Sequence, residues 1–203
     1  MVASRISARC YQIIFLLFVL ALARLAYSQA GLEAHRSWDF SVWAAGETGE
    51  EHLNSFSEAQ IFSTGMFAGK ILTGEVGRGW RRGRFEYGIN IIPVFRQVRP
   101  QSIYGGGVEP VILRWNSSLY AARVDPYIEL AGGAIRTNTN LPTGNTSSFN
   151  FTARGGGGIQ IFTRPRRSID IACRWSHVSN ANLGVKNPEF NGMQVSVGYH
   201  WFK

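Results

Sequence analysis

The sequence predicts an all-β fold: an eight-stranded antiparallel up-and-down barrel that crosses a membrane with its strands. Three observations carry that prediction. Beyond the first thirty residues, apolar residues recur with period two between turn residues, and no sustained helical period appears. Most runs pair an apolar face with one bearing Arg, Glu, Asp, Gln or Asn, which suits a barrel whose outside meets lipid and whose inside is packed and polar. The chain also opens on an export signal and closes on an aromatic strand containing Tyr199, Trp201 and Phe202, as outer-membrane barrels commonly do.

The opening thirty residues read as a secretory signal peptide. Arg5 and Arg9 form a positive start, Ile13 to Ala23 an apolar centre, and Ala26-Tyr27-Ser28 or Ser28-Gln29-Ala30 a small-residue cleavage site. A membrane anchor fits less well, because a spanning helix wants about 20 apolar residues and Arg24 interrupts the run. The expected organisation is therefore signal peptide 1–30 and barrel domain 31–203. Loss of the signal removes three arginines and no acid, so a net charge of +8 falls to about +5. That excess favours an anionic surface, and export argues against nucleic acid as a partner. Cys10 leaves with the signal, so Cys173 is alone and is expected to act as a small buried hydrophobe. No CxxC or HExxH spacing is present, so neither a metal nor a cofactor is expected.

The strands follow in order. In the first, Trp38, Phe40, Val42 and Ala44 alternate with Asp39, Ser41 and Trp43. The second runs from Gln60 to Glu75, interrupted by glycines, and the Arg-rich turn from Gly77 to Gly83 follows. The third places Phe85, Tyr87, Ile89, Ile91 and Phe95 on one face against Arg84, Glu86, Gly88 and Asn90. The fourth is short, Val108 to Trp115, and Asn116-Ser117-Ser118 turns into the fifth, Val124 to Arg136. The sixth starts at Phe149 and passes through Gly155 to Gly158. These glycines lack the Lys-Ser/Thr of a phosphate loop and are read as strand bending or close packing. After the turn Arg164-Pro165-Arg166-Arg167, the seventh alternates Ile169, Ile171, Cys173 and Trp175 with Asp170, Ala172, Arg174 and Ser176. The eighth alternates Met193, Val195, Val197, Tyr199 and Trp201 with Gln194, Ser196, Gly198 and His200; His200 is expected to hydrogen-bond inside the barrel.

The connections are expected to alternate in length. Glu47 to Ser57, Arg96 to Gly107, Thr137 to Ser148 and Asn180 to Gly192 read as long loops, with short turns between them. This is the asymmetry of extracellular loops and periplasmic turns in outer-membrane barrels. The competing account is a secreted lipocalin-like barrel with the apolar faces turned inward. Asn-x-Ser/Thr matches at Asn116, Asn145 and Asn150 are short patterns that arise by chance, and His35 and His52 have no evident partner.

Arg174 to Leu183 carries the chemistry. His177 and Ser179 are two residues apart on a strand and so share a face. They continue the parity of Ile169, Ile171, Cys173 and Trp175, which points them outward at the end of the strand. Polar groups on a lipid face are costly unless partnered or functional. One account is a solvated loop start. The other is a serine hydrolase with Ser179 as nucleophile, His177 as general base and a third group orienting the imidazole.

Arg174 to Gly192 resembles the C-terminal signature of the PagL-type lipid A 3-O-deacylases, eight-stranded outer-membrane barrels. The shared run is His177, Ser179, Asn180, Ala181 and Leu183, then Asn187, and then Asn191 where the family carries an acidic residue. The resemblance implies hydrolysis of the acyl ester at the 3 position of lipid A, within lipopolysaccharide of the outer leaflet. Ser179 would attack the carbonyl and His177 would take and return the proton. Asn187, with Asn180 or nearby backbone N–H groups, would stabilise the oxyanion. Asn191 can orient the ring but cannot offer charge, and Glu189 is the carboxylate in the same loop. The second reading is a non-catalytic barrel that kept the scaffold. Whether the barrel acts alone or as a homodimer is left open.

Overall fold

A computed structural model describes residues 37–49, 59–118, 123–144 and 146–203. The expected signal peptide, His35, His52 and most of the first long loop lie outside the described residues. The strands are β1 (Trp38–Gly49), β2 (Gln60–Ile71), β3 (Gly83–Arg99), β4 (Ile103–Ser117), β5 (Val124–Leu141), β6 (Ser147–Arg164), β7 (Arg167–Ser179) and β8 (Phe190–Phe202). Each pairs antiparallel with its sequence neighbours, and β1 pairs with β8, so the sheet closes into an up-and-down barrel. Closure leaves no unpaired strand edge, which a bilayer demands.

The distribution of residues is inside-out. Val42, Met66, Ile89, Leu113, Ile128, Leu130 and Val195 are exposed on the outer surface, while Asp39, Glu86, Glu109, Glu129, Arg114, Arg154 and Arg174 are buried within. This is the arrangement of a barrel in lipid, and the soluble alternative is inverted relative to it. Trp38, Phe40 and Trp201 stack on one another near the lower end, with ring centroids about 6 Å apart, as an aromatic girdle.

The interior is held by ion pairs. Arg114 lies 2.8 Å from Glu129, 3.4 Å from Asp39 and 3.7 Å from Glu86, and its guanidinium is sandwiched between the rings of Phe67 and Tyr127. Arg174 bonds the other oxygen of Glu129, and Arg154 pairs with Glu109. His200 Nδ1 sits 2.7 Å from Asp39, as the alternation of β8 predicts. The glycines of β6 allow close packing: a Cβ on Gly156 would meet the Cys173 carbonyl oxygen, and one on Gly158 would fall 2.7 Å from the Tyr127 hydroxyl. Above the ion pairs, Ile61, Ile92, Phe95, Ile103, Ile135, Leu141, Val178 and Phe190 form a buried apolar cluster.

The structure corrects several expectations. Phe95 points inward rather than sharing the outer face of Ile89 and Ile91. The pairing of β3 with β4 slips between Ile92 and Phe95, around Pro93, and the extra residue reverses the parity. Two expected long loops are mostly strand. The stretch from Arg96 to Gly107 turns at residues 100–102, and the one from Thr137 to Ser148 at residues 142–146. Their Gly, Thr and Asn content suggested loops, but cross-strand partners such as Gly105 and Thr137 satisfy the backbone. β2 ends at Ile71, and Glu75 belongs to the turn below, bonded to Arg82 and Arg84. Cys173 is exposed on the outer face, in line with the parity of its strand and not buried as a lone thiol commonly is.

Strand lengths therefore differ around the wall: β5 and β6 have 18 residues each, β7 and β8 have 13. At about 3.3 Å per residue, 18 residues extend roughly 60 Å, well beyond a hydrocarbon layer of about 30 Å even when tilted. The upper rim thus steps down where β6 meets β7.

Candidate active site

The step in the rim carries His177 and Ser179. Along β7, Ile169, Cys173 and Trp175 face out while Asp170, Ala172, Arg174 and Ser176 are buried. His177 and Ser179 keep the outward parity and are half-buried. Ser179 pairs with Phe151 of β6, and β6 continues upward past it through Asn150 to Ser147.

The register of β7 with β8 sets His177 opposite Asn191. His177 Nδ1 is 2.8 Å from Asn191 Oδ1, and His177 Nε2 is 3.1 Å from Ser179 Oγ. An amide oxygen can only accept, so Nδ1–H donates to Asn191. Nε2 is then the acceptor for the Ser179 hydroxyl. The result is a continuous relay, Ser179 to His177 to Asn191, in the tautomer that a general base requires. Asn191, not Glu189, stands at the ring. The Trp175 ring stacks on His177, with centroids 5.8 Å apart and planes 19° from parallel. The sequence pass read Trp175 as lipid-facing alone, although its i, i+2 spacing from His177 was the signal for the stack.

The following turn is braced by two asparagines. Asn180 is 1% exposed; its Nδ2 donates to the Lys186 carbonyl at 2.8 Å, and its backbone N–H donates to Asn187 Oδ1 at 2.9 Å. Ala181 and Asn182 take positive φ values of 49° and 64°, the left-handed region a tight reversal needs. Asn187 is thereby oriented with its oxygen committed, which leaves its NH₂ end to donate. In this arrangement Asn180 holds the loop. Among the described residues there is no group of three or more His, Cys, Asp or Glu placed to hold a metal ion.

A serine, a histidine and an amide in hydrogen-bonded series on the outer wall of a barrel are the kinds of group that acyl-ester chemistry uses. The sequence matches the family model described as lipid A 3-O-deacylase (PagL) over residues 22–200. The chain belongs to the PagL family. No curated protein matches the sequence. Among solved structures, the chain is similar to the outer membrane enzyme PagL, with a TM-score of 0.58 and 15% identity, covering 78% of this chain and 97% of that one. It is also similar to Neisserial surface protein A, with a TM-score of 0.57 and 14% identity over 81% of this chain and 96% of that one. The attachment invasion locus protein Ail of Yersinia pestis gives 0.52 and 10% over 84% and 100%. At these identities the likeness is one of fold, an eight-stranded barrel shared by PagL-family and other outer-membrane proteins. The family match is what separates this chain from the rest.

Proposed function

We propose that this protein is an outer-membrane serine esterase that removes the 3-linked acyl chain of lipid A, reached through the signal peptide at 1–30. The observation that carries the reading is the Ser179–His177–Asn191 relay on the lipid side of a PagL-family barrel. Ser179 Oγ attacks the ester carbonyl as its proton passes to His177 Nε2. The imidazolium then protonates the leaving sugar oxygen, and water releases the acyl chain from Ser179 by the reverse sequence. Asn187, held by Asn180, donates to the oxyanion through its NH₂ group. The outward position suits this substrate, because a headgroup ester lies at the membrane boundary and reaches Ser179 without leaving the leaflet.

A second reading, a barrel that retains the scaffold without turnover, draws on one observation: the orienting position holds neutral Asn191 rather than a carboxylate. Lipid A mass spectrometry separates the two. Cells expressing the intact chain should show lipid A lighter by one acyl chain, and cells expressing Ser179→Ala should not. Unaltered lipid A in both, with a folded barrel in the outer membrane, would sink the esterase reading.

A further inference from the structure

We infer that Arg136, assisted by Lys186, forms a subsite for a phosphoryl group on the glycolipid whose ester is held at Ser179; this rests on the esterase reading. The outward column of β5 is apolar or small as it rises, through Ile128, Leu130, Gly132 and Ala134, and then changes abruptly to exposed Arg136. Arg136 pairs with Phe149 of β6, and Ser179 pairs with Phe151. Arg136 therefore lies two strands across and two residues above the nucleophile, on the same outer face. At about 4.8 Å per strand and 3.3 Å per residue, the Cα atoms are roughly 12 Å apart. An extended arginine side chain and one sugar ring bridge that distance. Lys186 is exposed in the loop after β7, where its carbonyl accepts from Asn180, the residue after the nucleophile.

Several other cations of the barrel are already engaged. Arg114, Arg154 and Arg174 are buried in ion pairs, Arg82 and Arg84 are paired with Glu75, and Arg96 lies over the Tyr104 ring. Arg136 and Lys186 have no ion pair among the described residues, and Glu189 in the same loop pairs with neither. A guanidinium at headgroup height, with its donors unused beside an ester-cleaving serine, matches the forked geometry of a phosphate. The phosphate belongs to the substrate's own sugar or to a neighbouring lipid.

The test is equilibrium binding by calorimetry to the full-length barrel carrying Ser179→Ala, in neutral detergent micelles. The probes are an acylated glucosamine phosphate and its phosphate-free counterpart. The phosphorylated lipid should bind about 10-fold tighter, the scale of one charge-assisted contact. Adding Arg136→Gln should erase most of that preference, Arg136→Lys should keep part of it, and Lys186→Gln should reduce it. If anionic phospholipid in the micelle raises binding of the phosphate-free lipid, and Arg136→Gln abolishes the rise, the phosphate comes from a neighbouring lipid. An undiminished preference in Arg136→Gln, or an equal loss for both probes, overturns the proposal. Turnover of the phosphate-free lipid by the Ser179-intact protein reports on the esterase reading alone, so the two fail separately.

Discussion

Replacing Asn191 by Glu should accelerate the enzyme. In the resting state Asn191 Oδ1 accepts from His177 Nδ1–H at 2.8 Å, which fixes the ring and the tautomer. In the proposed attack on the ester the ring becomes cationic, and a neutral amide answers that charge only with its dipole. Two unit charges about 4 Å apart near a protein surface attract by about 4 kcal/mol at most. His177 is half-buried at the rim, so solvent screens part of that. A better measure is the step from a neutral hydrogen bond, about 1 kcal/mol, to a charge-assisted one, about 1.5–3 kcal/mol. The net gain of about 0.5–2 kcal/mol corresponds to a rise of about 2–30-fold in kcat/KM. The assay is the initial rate of acyl release from purified lipid A in detergent micelles, with gel heat-modifiability to confirm a folded barrel. A folded Asn191→Glu protein with unchanged or lower kcat/KM would refute the reasoning, because Asn191 would then not be the group that answers the imidazolium.

Two further predictions concern the barrel itself. Glu129→Gln should destabilise the folded state by about 3–5 kcal/mol, measured by urea unfolding in micelles, because it leaves buried Arg114 and Arg174 without their shared carboxylate. In the lower turn, partial burial works against ionisation of Glu75, but the Ser118 hydrogen bond and the Arg82 and Arg84 guanidiniums win and hold its carboxyl below the usual range. A lowered folded value means that the contribution to stability is present at neutral pH and is lost as pH falls through that value. Amide protection in residues 72–82, relative to intrinsic exchange, should therefore fall as pH drops below the ordinary carboxylate range, and Glu75→Gln should remove that fall.

Strand number, order and facing were legible because period-two alternation is local, and the outward parity of His177 and Ser179 follows from the same rule. Local patterns did not reach the bulge near Pro93, where one extra residue turned Phe95 inward. They also took Gly105, Gly107 and Thr137 for loop residues, since composition does not reveal a backbone partner supplied thirty residues away. The interior ion pairs join β1, β4, β5 and β7, and only closure of the barrel brings them together. In the site, the orienting group could be sought in the carboxylate of Glu189 or the amide of Asn191. The β7–β8 register decides, pairing His177 with Asn191.

The packed lumen has an electrical consequence. Two interior cavities of about 20 Å³ each hold little more than one water molecule; one lies among the ion pairs and the other reaches the apolar cluster above them. Among the described residues, buried ion pairs and the apolar cluster fill the lumen, so the cylinder is expected to insulate where a porin conducts. Chemistry on the outer wall can then proceed in a bilayer crowded with copies of this protein without ion leak or admission of small toxic solutes. Planar-bilayer recordings should show silence.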